Sequence, residues 1–281
     1  MTALVVLAAG RARRYGGIKP LAPIGPSGEA VIDLLAGDAL RAGFSSLVLV
    51  VNPDTGPLIR DHVAAAWPPG VDVAFGVQER PIGTVGAVLA ARDAVDPTTP
   101  FGVANADDLY GADALSVLGR HLEGRGTNSL VGFRLDRALV GDLPVTRGVC
   151  EVVDGALAGI TERRKVSRRD GAFHVDDGLE PAVLDDATLV SMNLWGFDPG
   201  MWDELQAAMD VAHGASEDDE VLLPELVDHL VAGGGARSRF EVLSTTSRCL
   251  GVTHPDDLAL VRDELASEIA RGERHKEPFP A

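Results

Sequence analysis

The sequence predicts an α/β fold built around an open parallel sheet. Three observations carry that prediction. The apolar runs of the first half are continuous rather than alternating, as in strands buried on both faces. Segments with helical spacing lie between them, so strand and helix alternate along the chain. The connections are short, which implies right-handed crossovers.

"ALVVLAA" (residues 3–9) reads as the first strand. "EAVIDLLAGDALRAGF" places apolar residues at Val31, Leu34, Leu35 and Leu40 and reaches Gly43, a helix with a glycine stop. "SLVLVVN" is the second strand, and residues 57–66 form a short helix ending before Trp67-Pro68-Pro69. "VDVAFGV" is the third strand, followed by a helix in "TVGAVLAARDAV" closed by Asp96-Pro97. "PFGVANADD" is the fourth, with a helix over 112–122.

The second half changes character. "NSLVGFRL", "GVCEVVDG", "ALAGITER" and "ATLVSMNLWGF" read as strands of mixed direction, interrupted by a polar segment at 165–187. Helices around 199–213 and 221–232 follow, then "SRFEVLS", "RCLGVTH" and a final helix in "PDDLALVRDELASEIARG". Pro255 suits its first turn, and Asp256 and Asp257 suit its positive end. There is no internal repeat and no Gly/Ser linker, so residues 1–272 read as one domain. Its halves are 1–125 and 126–272, and residues 273–281 are expected to form a frayed tail.

At 281 residues and 46 % hydrophobic, the chain can bury a large core. No apolar run reaches the roughly 18 residues of a membrane span, and "MTALVVLAAG" lacks the basic start of a signal peptide. Cys150 and Cys249 lie far apart with no metal spacing, as do the histidines, so a reducing cytoplasmic location is expected. A net charge of −17, from 25 basic and 42 acidic residues, argues against nucleic acid as a partner. Yet the basic residues are clustered. Arg11, Arg13, Arg14 and Lys19 share one window, and Arg163, Arg164, Lys165, Arg168 and Arg169 another. Each cluster is either a solvated face or a site for anions.

In open parallel sheets ligands sit beyond the carboxyl ends of the strands. Loops 8–20, 78–86 and 104–111 leave those ends. Gly10 begins a small-residue turn able to present backbone N–H groups to phosphate. It is not a P-loop, because neither Gly10 nor Gly16 has the required spacing to G-K-[ST]. Nor is it a dinucleotide fingerprint: position 12 is Ala, position 15 is Tyr, and Asn52 stands where an acid would hold ribose.

Leu7, Ala8, Ala9, Gly10 and Arg14, followed by Lys19, Pro20 and Leu21, fit another pattern. Together with "QERPIGTVGA", "NADDLYG" and "GVCEV…ITER…SMNLWGF", these residues resemble the nucleotidyltransferase superfamily, the pyrophosphorylases that join an NTP to a sugar 1-phosphate. Four motifs in order span most of residues 3–200. The resemblance implies a Rossmann-like three-layer sandwich with a central, mostly parallel mixed sheet. It also implies Mg²⁺, an NTP and a sugar or cyclitol 1-phosphate as ligands, and a homodimer or homotetramer.

The resemblance assigns roles. Arg14 takes the β/γ-phosphates and Lys19 the α-phosphate region, while Asp107 holds Mg²⁺. Leu7, Ala8, Ala9 and Gly10 form the nucleotide turn. Gln78 and Gly83 read the base, Gly83 through a backbone too close for a side chain. Gly148, Glu162 and Asn193 hold the sugar, and Arg163, standing for the usual Lys, holds its phosphate. Asp108 is expected to point away from the metal. The second metal ligand falls at Thr253 in "LGVTHPDDL", with Asp256 nearby. Trp195 reads as core packing and His254 as structural.

Ala12 replaces a glycine of the pattern. With Thr253, it leaves room for a non-catalytic, nucleotide-sensing homologue. A molybdopterin guanylyltransferase also shares the first loop, but residues 145–200 count against it.

Overall fold

A computed structural model describes residues 2–10, 17–124, 126–141, 143–215, 219–251 and 257–280. Arg11, Ala12, Arg13, Arg14, Tyr15, Gly16, Thr253, His254, Pro255 and Asp256 lie outside the described residues.

In chain order the elements are β1 (Ala3–Leu7), α1 (Val31–Arg41), β2 (Ser46–Val51), α2 (Gly56–Ala66), β3 (Val73–Val77), α3 (Gly83–Leu89), β4 (Phe101–Asn105), β5 (Asp108–Leu109) and α4 (Ala112–Gly124). The second half contributes β6 (Ser129–Arg134), β7 (Val145–Val153), β8 (Ala156–Arg169), β9 (Ala172–Val175), β10 (Val183–Leu184), β11 (Leu189–Phe197), α5 (Met201–Ala215), α6 (Leu223–Gly233), β12 (Glu241–Ser244), β13 (Leu250–Gly251) and α7 (Asp257–Ala270).

One large sheet runs in the order β10-β9-β8-β12-β6-β11-β4-β1-β2-β3, with β7 joining β11 to β8. The β3-β2-β1-β4 side is parallel. Beyond β4 the sheet is mixed: β11 runs antiparallel to both β4 and β6, whereas β12 is parallel to β6. Side-chain alternation sends Leu4 and Val6 to one face and Val5 to the other. The first face packs under α1, α2, α4 and α7, and the second under α3, α5 and α6. The result is three layers, with Trp202 of α5 stacked on Phe101 at a 4.3 Å centroid distance.

Two expectations are corrected. The polar stretch 165–187 is not a break, because β8 runs on to Arg169 and pairs with β9, which pairs with β10. Its charged residues are interspersed with buried Val166, Ser167, Phe173, Val175 and Leu184, which the number of charges hid. The tail is docked rather than frayed. Arg274 is buried between Asp38 of α1 and Glu268 of α7. Phe279 meets Trp67 edge-on at 5.6 Å, and Arg41 donates to the carbonyls of Glu277 and Pro278. Gly37 of α1 has no Cβ, and any Cβ there would collide with the Pro278 carbonyl.

The segment after β12 is tied to α4 by one carboxylate. Asp113 accepts from Thr245 Oγ1 (2.8 Å), Thr246 N (2.8 Å) and Thr246 Oγ1 (3.1 Å). Burial opposes ionisation, but these hydrogen bonds hold its carboxyl below the ordinary aspartate value. A depressed folded pKa stabilises above the unfolded value, about 3.9, and that stabilisation is lost as pH falls through the folded pKa. Asp113→Asn is therefore expected to be less stable than wild type near pH 7, with the gap closing below pH 3. Urea melts at both pH values check this.

Candidate active site

The carboxyl ends of β1, β3 and β4 converge, and the turns leaving them line the site. After β1, Ala8 donates to Val50 O at 2.7 Å, which keeps the turn in register with β2. Buried Asn52 donates its side-chain amide to Ala9 O at 2.9 Å, while its Oδ1 accepts from Asp54 N and Thr55 N at the entry to α2. Asn52 therefore shapes the turn after β1. A Cβ built at Gly10 would meet no atom of the described residues within 4 Å.

Gln78 follows β3. Its side chain is buried and donates to Gly83 O at 2.9 Å, closing the 78–83 loop on itself. Gly83 sits at φ +87°, and a Cβ there would strike the backbone of Val221. The close approach that demands glycine is thus made by this chain's own 221 segment. Val221 N donates to Ile82 O, Val85 N to Val221 O, and Leu223 N to Thr84 Oγ1 (2.8 Å). Gly83→Ala is expected to cost about 1–3 kcal/mol through strain, and thermal melts of the two proteins check it.

Beyond β4, Asp107 and Asp108 diverge. The Asp107 carboxylate is 36 % exposed, with Lys19 Nζ at 3.5 Å. Asp108 is buried and accepts from Asn105 Nδ2 at 3.0 Å. Burial, then the neighbouring Asp107 charge, pushes its carboxyl up to about 7, against the pull of Asn105, Arg147 and Lys19. Tyr110 bolts the strand end in place, since its hydroxyl accepts from Asn105 N and donates to Met192 O, both at 2.9 Å. Tyr110→Phe leaves those buried groups without their partner. It is expected to lower stability by about 1–3 kcal/mol, which chemical denaturation measures.

Two cavities meet here. One of about 480 Å³ is lined by Leu7, Ala9, Gly10, Gln78, Gly83 and Thr84, among others. The other, about 590 Å³, is lined by Arg147 and Gly148 of β7, Glu162 of β8, Asn193 of β11 and Asp228 and His229 of α6, among others. Thr84, Asn105, Asp107, Asn193 and Leu222 line both. Asn193 has φ +57° within an irregularity of β11 between Ser191 and Trp195. Its Oδ1 accepts from Trp195 Nε1 at 3.2 Å. Trp195 itself is wholly buried core.

Arg163 is absent from this gathering. It is 3 % exposed and forked onto Asp177 through Nε (2.8 Å) and Nη2 (3.2 Å), and it also donates to Leu179 O and Pro181 O. Adjacent strand residues face opposite sides; Glu162 lines the cavity and Arg163 does not. The assignment of Arg163 to the sugar phosphate is thereby corrected.

Residues 4–171 match the MobA-like NTP transferase domain. The chain belongs to that family. The match to this NTP transferase domain runs from β1 to the end of β8. GlmU, a bifunctional protein of Rhizobium etli, is 31 % identical to this protein over 177 residues, 60 % of the chain and 35 % of GlmU. The chain thus spans about a third of the curated relative it matches.

Solved structures share the fold at low identity. A Bacillus anthracis protein described as a glucose-1-phosphate thymidylyltransferase, in complex with sucrose, is 11 % identical with a TM-score of 0.70, covering 94 % of this chain and 95 % of that one. The inositol-1-phosphate CTP transferase of T. maritima is 16 % identical, TM-score 0.68, covering 97 % of each chain. HddC from Yersinia pseudotuberculosis, complexed with GMP-PN, is 18 % identical, TM-score 0.63, covering 94 % and 99 %.

Among the described residues no cluster of three His, Cys, Asp or Glu side chains could by itself enclose a metal. Mg²⁺ does not need one, since it keeps several waters and takes one or two carboxylates plus substrate phosphates. A half-exposed Asp107 where the two cavities meet fits that donor set.

Sequence reasoning missed Asn52, Thr84, Arg147 and the α6 wall. Asn52 was visible as a departure from a dinucleotide motif. Thr84 lay within the "QERPIGTVGA" motif and Arg147 beside a predicted ligand, Gly148. A helix was expected over 221–232, but nothing in the sequence placed it against the cavity.

Proposed function

We propose that this protein moves NMP from an NTP to a sugar or cyclitol 1-phosphate, with Mg²⁺, releasing pyrophosphate. The supporting observation is the pair of cavities meeting at Asp107 and Lys19. The first is walled by a small-residue turn and a closed loop, as suits a nucleotide. The second offers Glu162, Asp228 and Asn193, groups that hydrogen-bond hydroxyls.

An acceptor phosphate oxygen attacks the α-phosphorus, forming a new P–O bond. The bond from that phosphorus to the α–β bridging oxygen breaks, and its electron pair leaves with pyrophosphate. The acceptor phosphate, with a second pKa of about 6, is largely dianionic at neutral pH, so no general base is required. Positioning and charge neutralisation dominate. Lys19 and Arg14 supply positive charge for the NTP phosphates. Asp107 and Thr253 would hold Mg²⁺, which would supply charge neutralisation for the substrate phosphates.

Transfer to a molybdopterin acceptor is the second reading, favoured by the family match. That match ends at residue 171, whereas the acceptor cavity also uses Ser191, Asn193 and α6. Pyrophosphate release with Mg²⁺, crossing the four NTPs and dTTP against sugar and cyclitol 1-phosphates, tests the proposal. Release that needs one specific pair is expected. Silence across the panel with nucleotide still bound overturns it in favour of a regulatory nucleotide-binding role or another acceptor.

A further inference from the structure

We infer that Arg147 receives the acceptor's phosphate, an inference that rests on the transferase reading above. Turning Arg163 away leaves the acceptor cavity without the cation that the sequence pattern places there. Arg147 lies opposite Arg163 in the β7–β8 register, on the same face of the ladder, but its guanidinium is turned toward Ala138 and Thr146 and it lines that cavity with Asp107, Asp108 and Gly148.

Its bonding differs from that of neighbouring arginines. Arg163, Arg164 and Arg169 each pair with a carboxylate, of Asp177, Glu162 and Asp176 respectively. Arg147 makes no ion pair among the described residues. Its Nε and Nη2 donate to Ala138 O (3.3 and 3.0 Å), and its Nη1 donates to Thr146 O (2.9 Å). Carbonyls orient the guanidinium, and the acid nearest it in charge is Asp108, whose carboxyl burial pushes up to about 7. Burial depresses its pKa, a cost to the charged form that an incoming anion offsets.

A guanidinium held in this way is preorganised, and its remaining N–H groups match two oxygens of a phosphate. The rest of the cavity explains why the anionic end belongs here. Glu225 and Asp228 line the α6 wall and would repel a phosphate placed against them, whereas at the other end the Asp107 and Asp108 carboxylates stand beside the Lys19 and Arg147 cations. Anchoring at Arg147 directs the acceptor's hydroxyls toward the α6 carboxylates and its phosphate toward Asp107, where the cavities meet. The same arrangement selects against acceptors carrying a second anionic group.

The test compares wild type with R147Q, R147K and, as a control, R169Q. In the pyrophosphate assay R147Q is expected to raise the acceptor KM by about 10- to 100-fold, the range of a charge-assisted hydrogen-bond pair. The NTP KM should change less than about threefold, R147K should recover part of the loss, and R169Q should match wild type. An unchanged acceptor KM overturns the inference. So does a parallel rise in both KM values with a lowered melting temperature, which would mark Arg147 as structural.

Inorganic phosphate gives a readout independent of turnover. It should inhibit competitively with the acceptor, and it should raise the melting temperature of the nucleotide-loaded wild type but not of R147Q. If the whole substrate panel is silent, the transferase reading fails and the phosphate melts decide Arg147 alone. Equal stabilisation of both proteins by phosphate overturns it.

Discussion

Asp107→Ala and Lys19→Ala should each reduce pyrophosphate release by at least roughly 10²- to 10³-fold, the loss seen when one preorganised electrostatic group is removed from a charged transition state. The fold should survive both changes. The Lys19–Asp107 contact, at 3.5 Å between partly exposed side chains, contributes only about 0–1 kcal/mol to stability. The two effects therefore separate cleanly in magnitude. Matched kinetics and thermal melts at one Mg²⁺ concentration are sufficient. Normal turnover in either variant sinks the site assignment, and a melt lowered by many degrees would move the pair from chemistry to architecture.

The largest stability effect is expected far from the cavities. Arg274→Ala should lower the free energy of unfolding by about 3–5 kcal/mol, because it leaves the buried carboxylates of Asp38 and Glu268 without their cation. Burial already raises the Asp38 carboxyl, with Arg274 the largest opposing influence. Combining Arg274→Met with Asp38→Asn and Glu268→Gln should recover much of the loss, since the cost lies in unpaired charge rather than missing volume. Urea denaturation distinguishes the outcomes. A loss below about 1 kcal/mol for Arg274→Ala would show that the docked tail is not integral to the domain.

Much of the fold was legible because its signals are local. The continuous apolar runs at 3–9, 46–52 and 101–105 named the parallel strands, and the helical spacing between them named the covering helices. The small-residue turn after β1 and the Asp107 strand end were legible for the same reason, since turn chemistry depends on a few adjacent residues. The 165–187 segment was misjudged because charge count masked its buried residues.

By itself the sequence determined the α/β class, the alternating first half, the placement of small residues at Leu7–Gly10 and the carboxylate at Asp107. Each follows from periodicity or from residue type at a strand end. Only the tertiary structure decided that Arg147 lines the cavity beside Asp107 while its cross-strand partner Arg163 is buried on Asp177. It alone brought α6 against the loop at Gly83 and closed the tail over Gly37 through Arg274. These outcomes depend on contacts between residues tens to hundreds of positions apart. No local pattern carries that information.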